Sequence, residues 1–384
     1  MNSISDLNTW LISEARLLGD ASQIVDKYCT NLRMLGIPVS RARVAQRYSN
    51  PLLSAWGIIW TPDNTHKYVV PVEVLSTSAW EGSPFEFVLS TRQVLRKRLV
   101  DLDLSHEHIV YRELADAGAT DFLAMPLEYG DGSAQGSSFV TDAPEGFSEA
   151  QVADLQATRY ALAAALEPIA MRESQRSLLE TYLGRVPASE VGAGRINRGE
   201  HKSIEAAILF ADLRGYTAKT ETWSDARLLS VLGDFFDMVV TPIQAEGGDV
   251  LKFMGDGVLA MFASDDGPDT ACQSAVKAAQ QALKALDHYN AKDGGDPIAF
   301  VIGMDFGTVT LGNIGSPDRL DFTVIGPAVN VASRVQNMCK SLDERALVTA
   351  NVAQYCHDGL QPVGGFAIRG VVGDVELSRI SSEG

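Results

Sequence analysis

The chain has 384 residues, 46% hydrophobic and 21% charged, the composition of an ordinary globular protein of two or three domains. A formal net charge of -17 argues against non-specific binding to nucleic acid or to an anionic membrane surface, and a bound polyphosphate would need metal and a few local basic groups. Cys29, Cys272, Cys339 and Cys356 are scattered without a CxxC pair and the histidines show no zinc spacing, which reads as reduced thiols in a cytoplasmic protein.

No apolar run approaches the ~20 residues of a membrane-spanning helix, and the N-terminus lacks a basic-then-apolar leader layout. Residues 1–35 read as helical, with Leu7, Trp10, Leu11, Ala15 and Leu18 at helical spacing. From Gly36 the texture changes. IPVSRARVAQRY and AWGIIWTP are rich in β-branched and aromatic residues and predict strands. STRQVLRKRLVD predicts a basic helix or an exposed face. TDFLAMPLEYGDGSAQGSSFVTDAP predicts two strands joined at Gly130-Asp131-Gly132. Residues 36–147 thus form one α+β domain, in a mixed sheet.

Residues 148–200 follow as a helix and linker. Ser148 with Gln151 three positions later is an N-cap signal. Leu155, Leu162 and Ile169 stand one heptad apart, beside Val152 and Leu166, and predict a long helix paired in a short coiled coil. Pro168 predicts a kink or break within it. GRVPASEVGAGRINRGE, 184–200, is Gly-rich and polar and reads as linker. From 201 to the end, strand, helix, strand, strand, helix and strand alternate, with two further strands, TVTLGNIG and LDFTVIG, and a helix opening on Pro327. That order suits a ferredoxin-like α/β sandwich.

Three stretches carry chemistry. In FADLRGYT an apolar strand ends on Asp212, which alone reads as readily as a helix N-cap as a metal ligand. In KFMGDGVLAMF a tight hairpin carries Asp256 at its tip, alone an ordinary Asp-Gly turn. Occurring together in a ferredoxin-like fold, the two carboxylates converge and repel unless a cation lies between them, and hard oxygen ligands near phosphate suit Mg²⁺ or Mn²⁺. In FTVIGPAVNVASRV, Asn330 and Arg334 are four apart on one helical face, able to orient a ribose and a phosphate.

Together and in this order, the three stretches resemble the catalytic domain of class III nucleotide cyclases, over about residues 203–357. The resemblance implies that Asp212 and Asp256 hold two metal ions with the backbone carbonyl of Leu213, that Lys252 and Thr323 read the purine, and that Asn330 orients the ribose while Arg334 stabilises the transition state. It implies a homodimer whose two equivalent sites take residues from both chains. The Lys252 ammonium donates to adenine N1 and is repelled by the N1 hydrogen of guanine. Thr323, where many members have Asp, resembles a bacterial-type subgroup that includes bicarbonate-stimulated enzymes. The implied activity is adenylate cyclase, ATP to 3′,5′-cyclic AMP and pyrophosphate, regulated by the N-terminal region through bicarbonate or an unidentified small molecule. The alternatives are a catalytically dead nucleotide-binding homologue and a guanylate cyclase. The layout of the front region resembles a GAF-type sensory module, in which Trp56, Trp60, Trp80, Phe85 and Phe87 line a pocket or fill a core. His106 and His108 read as haem or metal ligands or as exposed loop.

Overall fold

The computed structural model describes residues 1–292 and 297–381 and divides into two units, Met1–Leu178 and Leu179–Gly384. The N-terminal segment holds two helices, α1 (Ile4–Ser13) and α2 (Ala21–Met34), each opened by a side chain, of Ser3 and Asp20, that accepts from its first turn. A 3₁₀ turn at Ala15–Leu17 and Gly19 at φ 70° separate them. Then come β1 (Arg41–Arg47), β2 (Leu53–Thr61), β3 (Asn64–Pro71), α3 (Pro84–Thr91), β4 (Leu95–Arg98), α4 (Ile109–Asp116), β5 (Asp121–Glu128) and β6 (Ala134–Thr141). The six strands make one sheet in the order β3-β2-β1-β6-β5-β4. Every pairing is antiparallel, so the expected mixed sheet is corrected.

The segment 90–101 is also not a basic helix. It ends α3 and forms the edge strand β4, where charged side chains protect an unpaired edge. Its charges are spoken for: Arg96 Nη2 donates to the buried Asp121 at 2.8 Å, and Lys97 Nζ to Glu107 Oε1 at 2.6 Å.

α5 (Glu149–Leu183) is 35 residues long and runs unbroken through Pro168. Its start is a reciprocal capping box, with Gln151 N donating to Ser148 Oγ at 3.2 Å and Ser148 N to Gln151 Oε1 at 2.9 Å. The heptad positions Leu155, Leu162 and Ile169 are buried in one core with Leu7, Tyr28, Val44 and Trp60. Their periodicity therefore reflects packing on the first unit's own sheet rather than a coiled-coil seam. Trp56 and Trp60 are core as well. His108 caps α4, its Nδ1 accepting from Val110 N.

In the second unit the expected linker contains α6 (Arg185–Gly192), which buries Pro187 and Ala188 and carries Glu190, an ion-pair partner of both Arg195 and Lys202. Next are β7 (His201–Leu213), α7 (Tyr216–Thr220), α8 (Asp225–Ala245), β8 (Asp249–Met254), β9 (Gly257–Ala263), α9 (Pro268–Asn290), β10 (Phe300–Gly315), β11 (Leu320–Ile325), α10 (Pro327–Leu342), β12 (Ala346–Thr349), α11 (Ala350–Ala353), β13 (Leu360–Ala367) and β14 (Asp374–Ile380). IAFVIGMDFG and TVTLGNIG, read as separate strands, are one long β10. The sheet runs β13-β14-β12-β10-β7-β9-β8, with β11 paired to β10. Its β10-β7-β9-β8 part, antiparallel throughout, is the ferredoxin-like arrangement that the alternation predicts.

Strand alternation separates two faces. Ala207, Leu209, Ala211 and Leu213 pack with Phe235 and Val239 of α8 and with α9, whereas Ala206 and Ile208 share a core with Ala328 and Ala332 of α10. By length and composition alone α8 is apolar enough to cross a membrane, but Phe235, Val239 and Ile243 on it are buried in this core.

Candidate active site

Asp212 has the parity of Ala206 and Ile208 and therefore faces α10. Gln336 Nε2 donates to its Oδ2 at 3.2 Å and Lys340 Nζ at 2.5 Å. It caps no helix: α7 starts four residues later, with Gly215 at its N-cap. The neighbouring Arg214 has a scaffolding job. Its guanidinium donates to the carbonyls of Cys339 at 2.9 Å and Glu344 at 2.8 Å and to Asp343 Oδ1 at 3.0 Å, so it closes the C-terminal end of α10, where a cation also meets the helix dipole favourably.

Asp256 occupies the tight turn between β8 and β9, after Gly255 at φ 66°. Its carbonyl accepts from Leu213 N at 3.1 Å, which ties the hairpin tip to the end of β7. Asp212 is itself the cross-strand partner of Gly257. Burial, and then the charge of Asp212, push the Asp256 carboxyl above its usual range. The two carboxylates thus sense one another.

This donor set suits a hard divalent cation. Two carboxylates come near one another where one carboxyl is already raised and the other attracts an ammonium, the electrostatic signature of a place that favours positive charge. Among the described residues no cluster of three or more His, Cys, Asp or Glu side chains exists. Mg²⁺ does not need one, since it commonly takes one or two carboxylates and completes its shell with water and substrate phosphates.

Lys252 lies on β8 beside a register shift, and its ammonium pairs with Asp321 of β11. Asp321 and Thr323 are two apart on that strand and share a face. Lys252 and Thr323 are therefore brought to one neighbourhood. Asn330 and Arg334 share the first half of α10. Arg334 lies roughly 200° around the helix from Gln336, and Asn330 stands about 15 Å along the axis from Lys340. The Arg334 guanidinium instead borders the turn at Gly370, where a Cβ would come 3.2 Å from its Nη1. One chain thus brings Asp212 and Asp256 together, and separately Lys252 and Thr323, but turns Arg334 away from Asp212.

Sequence reasoning missed Gln336, Lys340 and Asp321. Gln336 and Lys340 are an i,i+4 pair on the helix already singled out, and Asp321 is two positions before Thr323. The spacing was legible; which strand each would meet was not.

Residues 200–376 match the family model described as the adenylate and guanylate cyclase catalytic domain. The second unit of this chain is therefore a class III adenylate/guanylate cyclase domain. An adenylate cyclase of Anabaena cylindrica is 36% identical over 170 residues, covering 42% of this chain and 33% of that protein. Adenylate cyclase 1 of Rhizobium meliloti is 29% identical over 158 residues, covering 40% of this chain and 24% of that protein. The chain thus spans a third or less of the length of these two relatives. The crystal structure of the adenylyl cyclase CyaB from P. aeruginosa aligns with a TM-score of 0.41 at 24% identity, over 47% of this chain and 95% of that one.

Proposed function

We propose that the protein is an adenylate cyclase, converting ATP to 3′,5′-cyclic AMP and pyrophosphate at sites shared by two copies of the chain. The observation that carries this reading is the division of the site residues: Asp212 and Asp256 lie together, while Arg334 of the same chain faces the other side of α10. A second copy related by a two-fold axis supplies the missing half to each pair of carboxylates, giving two equivalent sites.

Within such a site Asp212, Asp256 and the Leu213 carbonyl hold two Mg²⁺ or Mn²⁺ ions, which when bound supply Lewis acidity at the ribose 3′-hydroxyl and charge neutralisation at the departing pyrophosphate. Lys252, held by Asp321, presents its ammonium to adenine N1. Thr323 accepts from the 6-amino group. Asn330 orients the ribose, and Arg334 stabilises the negative charge that develops around the α-phosphorus, a contribution of several kcal/mol in a water-poor site. Residues 1–167 regulate this output.

The test is purified full-length protein with Mn²⁺ and either ATP or GTP, the cyclic product resolved by chromatography. Cyclic AMP from ATP, in excess over cyclic GMP from GTP, is the expected result. A preference for GTP would convert the reading to a guanylate cyclase, since the Thr323 hydroxyl can also donate to a guanine oxygen. No product from either would leave a nucleotide-binding homologue without activity.

A further inference from the structure

The first unit contains a cavity of about 770 Å³, in the size range of small-molecule sites. One wall is the outward face of β1. Its even positions are buried, so Arg41, Arg43 and Arg47 project together from the other side, and all three line the cavity. Arg41 and Arg43, half-buried two positions apart on this face, repel each other and cost free energy unless something answers them, while Arg47 at the strand end is exposed. No carboxylate of the described residues lies within ion-pair distance of any of the three. Glu86 and Glu113 also line the cavity, but Glu86 is engaged by the Gly82 amide at 2.6 Å and Glu113 is exposed.

Arg43 is held in place. Its guanidinium carbon lies 4.6 Å from the Tyr68 ring centroid and 4.9 Å from that of Phe85, and its Nε donates to the Tyr68 hydroxyl at 2.6 Å. Two glycines permit this clamp. A Cβ on Gly57 would come 2.6 Å from the Tyr68 hydroxyl oxygen, and one on Gly136 would come 2.8 Å from the Phe85 ring, so both rings occupy these positions only because those side chains are missing. Arg43 thus keeps its terminal nitrogens without an acceptor among the described residues while its orientation is set, the arrangement that recognises a planar or tetrahedral oxyanion at low entropic cost. Burial, and then the charge of Arg43, hold the Arg41 guanidinium below its ordinary pKa, although Tyr68 and the exposed Glu113 partly oppose the shift. Much of the remaining wall is apolar, with Val70, Leu75, Trp80 and Leu89, interspersed with polar side chains that include Ser83, Ser138 and His108.

We propose that this cavity is a binding site for a small organic anion, with its carboxylate or phosphate head on Arg41 and Arg43 and an apolar, flat body against Trp80 and the neighbouring aliphatic side chains. The test of this site does not depend on the cyclase reading, because binding is measured on the full chain without turnover.

The test is calorimetric titration of the full-length protein with 1-naphthaleneacetate, 1-naphthyl phosphate, the neutral 1-naphthaleneacetamide and inorganic phosphate. At least one naphthyl anion should bind one per chain and at least tenfold tighter than the amide, about 1.4 kcal/mol. Which of the two binds better tells a carboxylate site from a phosphate site, and inorganic phosphate, lacking the body, should bind more weakly than either. Arg43→Gln and Arg41→Gln should each cost that anion tenfold or more in affinity and leave the amide within twofold. Arg41 stands outside the aromatic clamp, so its variant decides the matter if Arg43→Gln melts early. Equal binding of anion and amide, unchanged anion affinity in Arg41→Gln, or no naphthyl anion bound at about millimolar concentration would overturn the proposal.

Discussion

Gly303 on β10 is where α10 comes closest to the sheet. A Cβ there would lie 2.1 Å from the Gln336 backbone nitrogen, 2.4 Å from its Cα and 2.7 Å from the Ala332 carbonyl oxygen, whereas ordinary contact begins at 3.4 Å. All three are main-chain atoms, so no side-chain rotation relieves the clash and the helix must lift by more than an ångström. The turn that lifts carries Arg334 and Gln336, and the 3.2 Å bond from Gln336 to Asp212 would then exceed hydrogen-bonding range. Overpacking of this kind costs about 1–3 kcal/mol of stability, and a catalytic group displaced by about 1 Å costs on the order of a hundredfold in rate. Gly307 is the control. It lies on the same strand against the same helix, but its Cβ would meet only the Ala328 Cβ, at 3.5 Å, and neither glycine has a positive φ. Gly303→Ala should therefore lower kcat for cyclic AMP formation about a hundredfold and lower the melting temperature, while Gly307→Ala stays within a few-fold of wild type in both. The assay is chromatographic quantification of product on protein shown to be folded by its thermal melt. Indistinguishable kinetics of the two variants would refute the view that contact of α10 with β10 sets the catalytic geometry.

The remaining expectations concern the charges. Asp212→Asn and Asp256→Asn should each abolish turnover and weaken Mn²⁺ binding measured by paramagnetic resonance in the presence of nucleotide; full activity in either would reject the paired carboxylates as metal ligands. Inactive Asp256→Ala and Arg334→Ala proteins, mixed, should recover about a quarter of wild-type activity, because random pairing of two-fold dimers leaves one undamaged site in the mixed half. Demonstrated subunit exchange without recovery would mean that each chain holds a complete site. Burial raises the Asp305 carboxyl above its usual value, although Thr349 and Asn351 both donate to its Oδ1 and partly restore it. A raised carboxyl keeps its proton where the unfolded chain has lost its own, so wild-type stability should fall as pH climbs from about 4 through the raised value. Asp305→Asn keeps an Oδ1 for both donors and carries no charge. Thermal melts should show it gaining on wild type across that window and holding the gain at neutral pH, and a difference independent of pH would contradict the assignment.

Much of the catalytic unit was readable from residue order because its signals are local. An apolar run ending on Asp212, an Asp-Gly tip at Asp256 and an i,i+4 pair at Asn330 and Arg334 depend only on strand, turn and helix periods, and the βαββαβ alternation follows from the same periods. Tertiary structure decided what each local signal was for. Leu155, Leu162 and Ile169 have coiled-coil spacing, but spacing cannot say whether a stripe meets another chain or its own sheet, and here it meets the core that contains Trp60. The charges of β4 look solvent-exposed until Asp121 and Glu107 are brought against them. Arg214, inside the motif that identifies the site, binds the end of a helix more than 120 positions away, and Lys340, outside every motif, binds Asp212 itself. Asp321 reaches Lys252 only because β11 folds back beside β8. Each of these depends on contacts between residues far apart in the chain, which follow from how the layers pack and leave no periodic trace in the sequence.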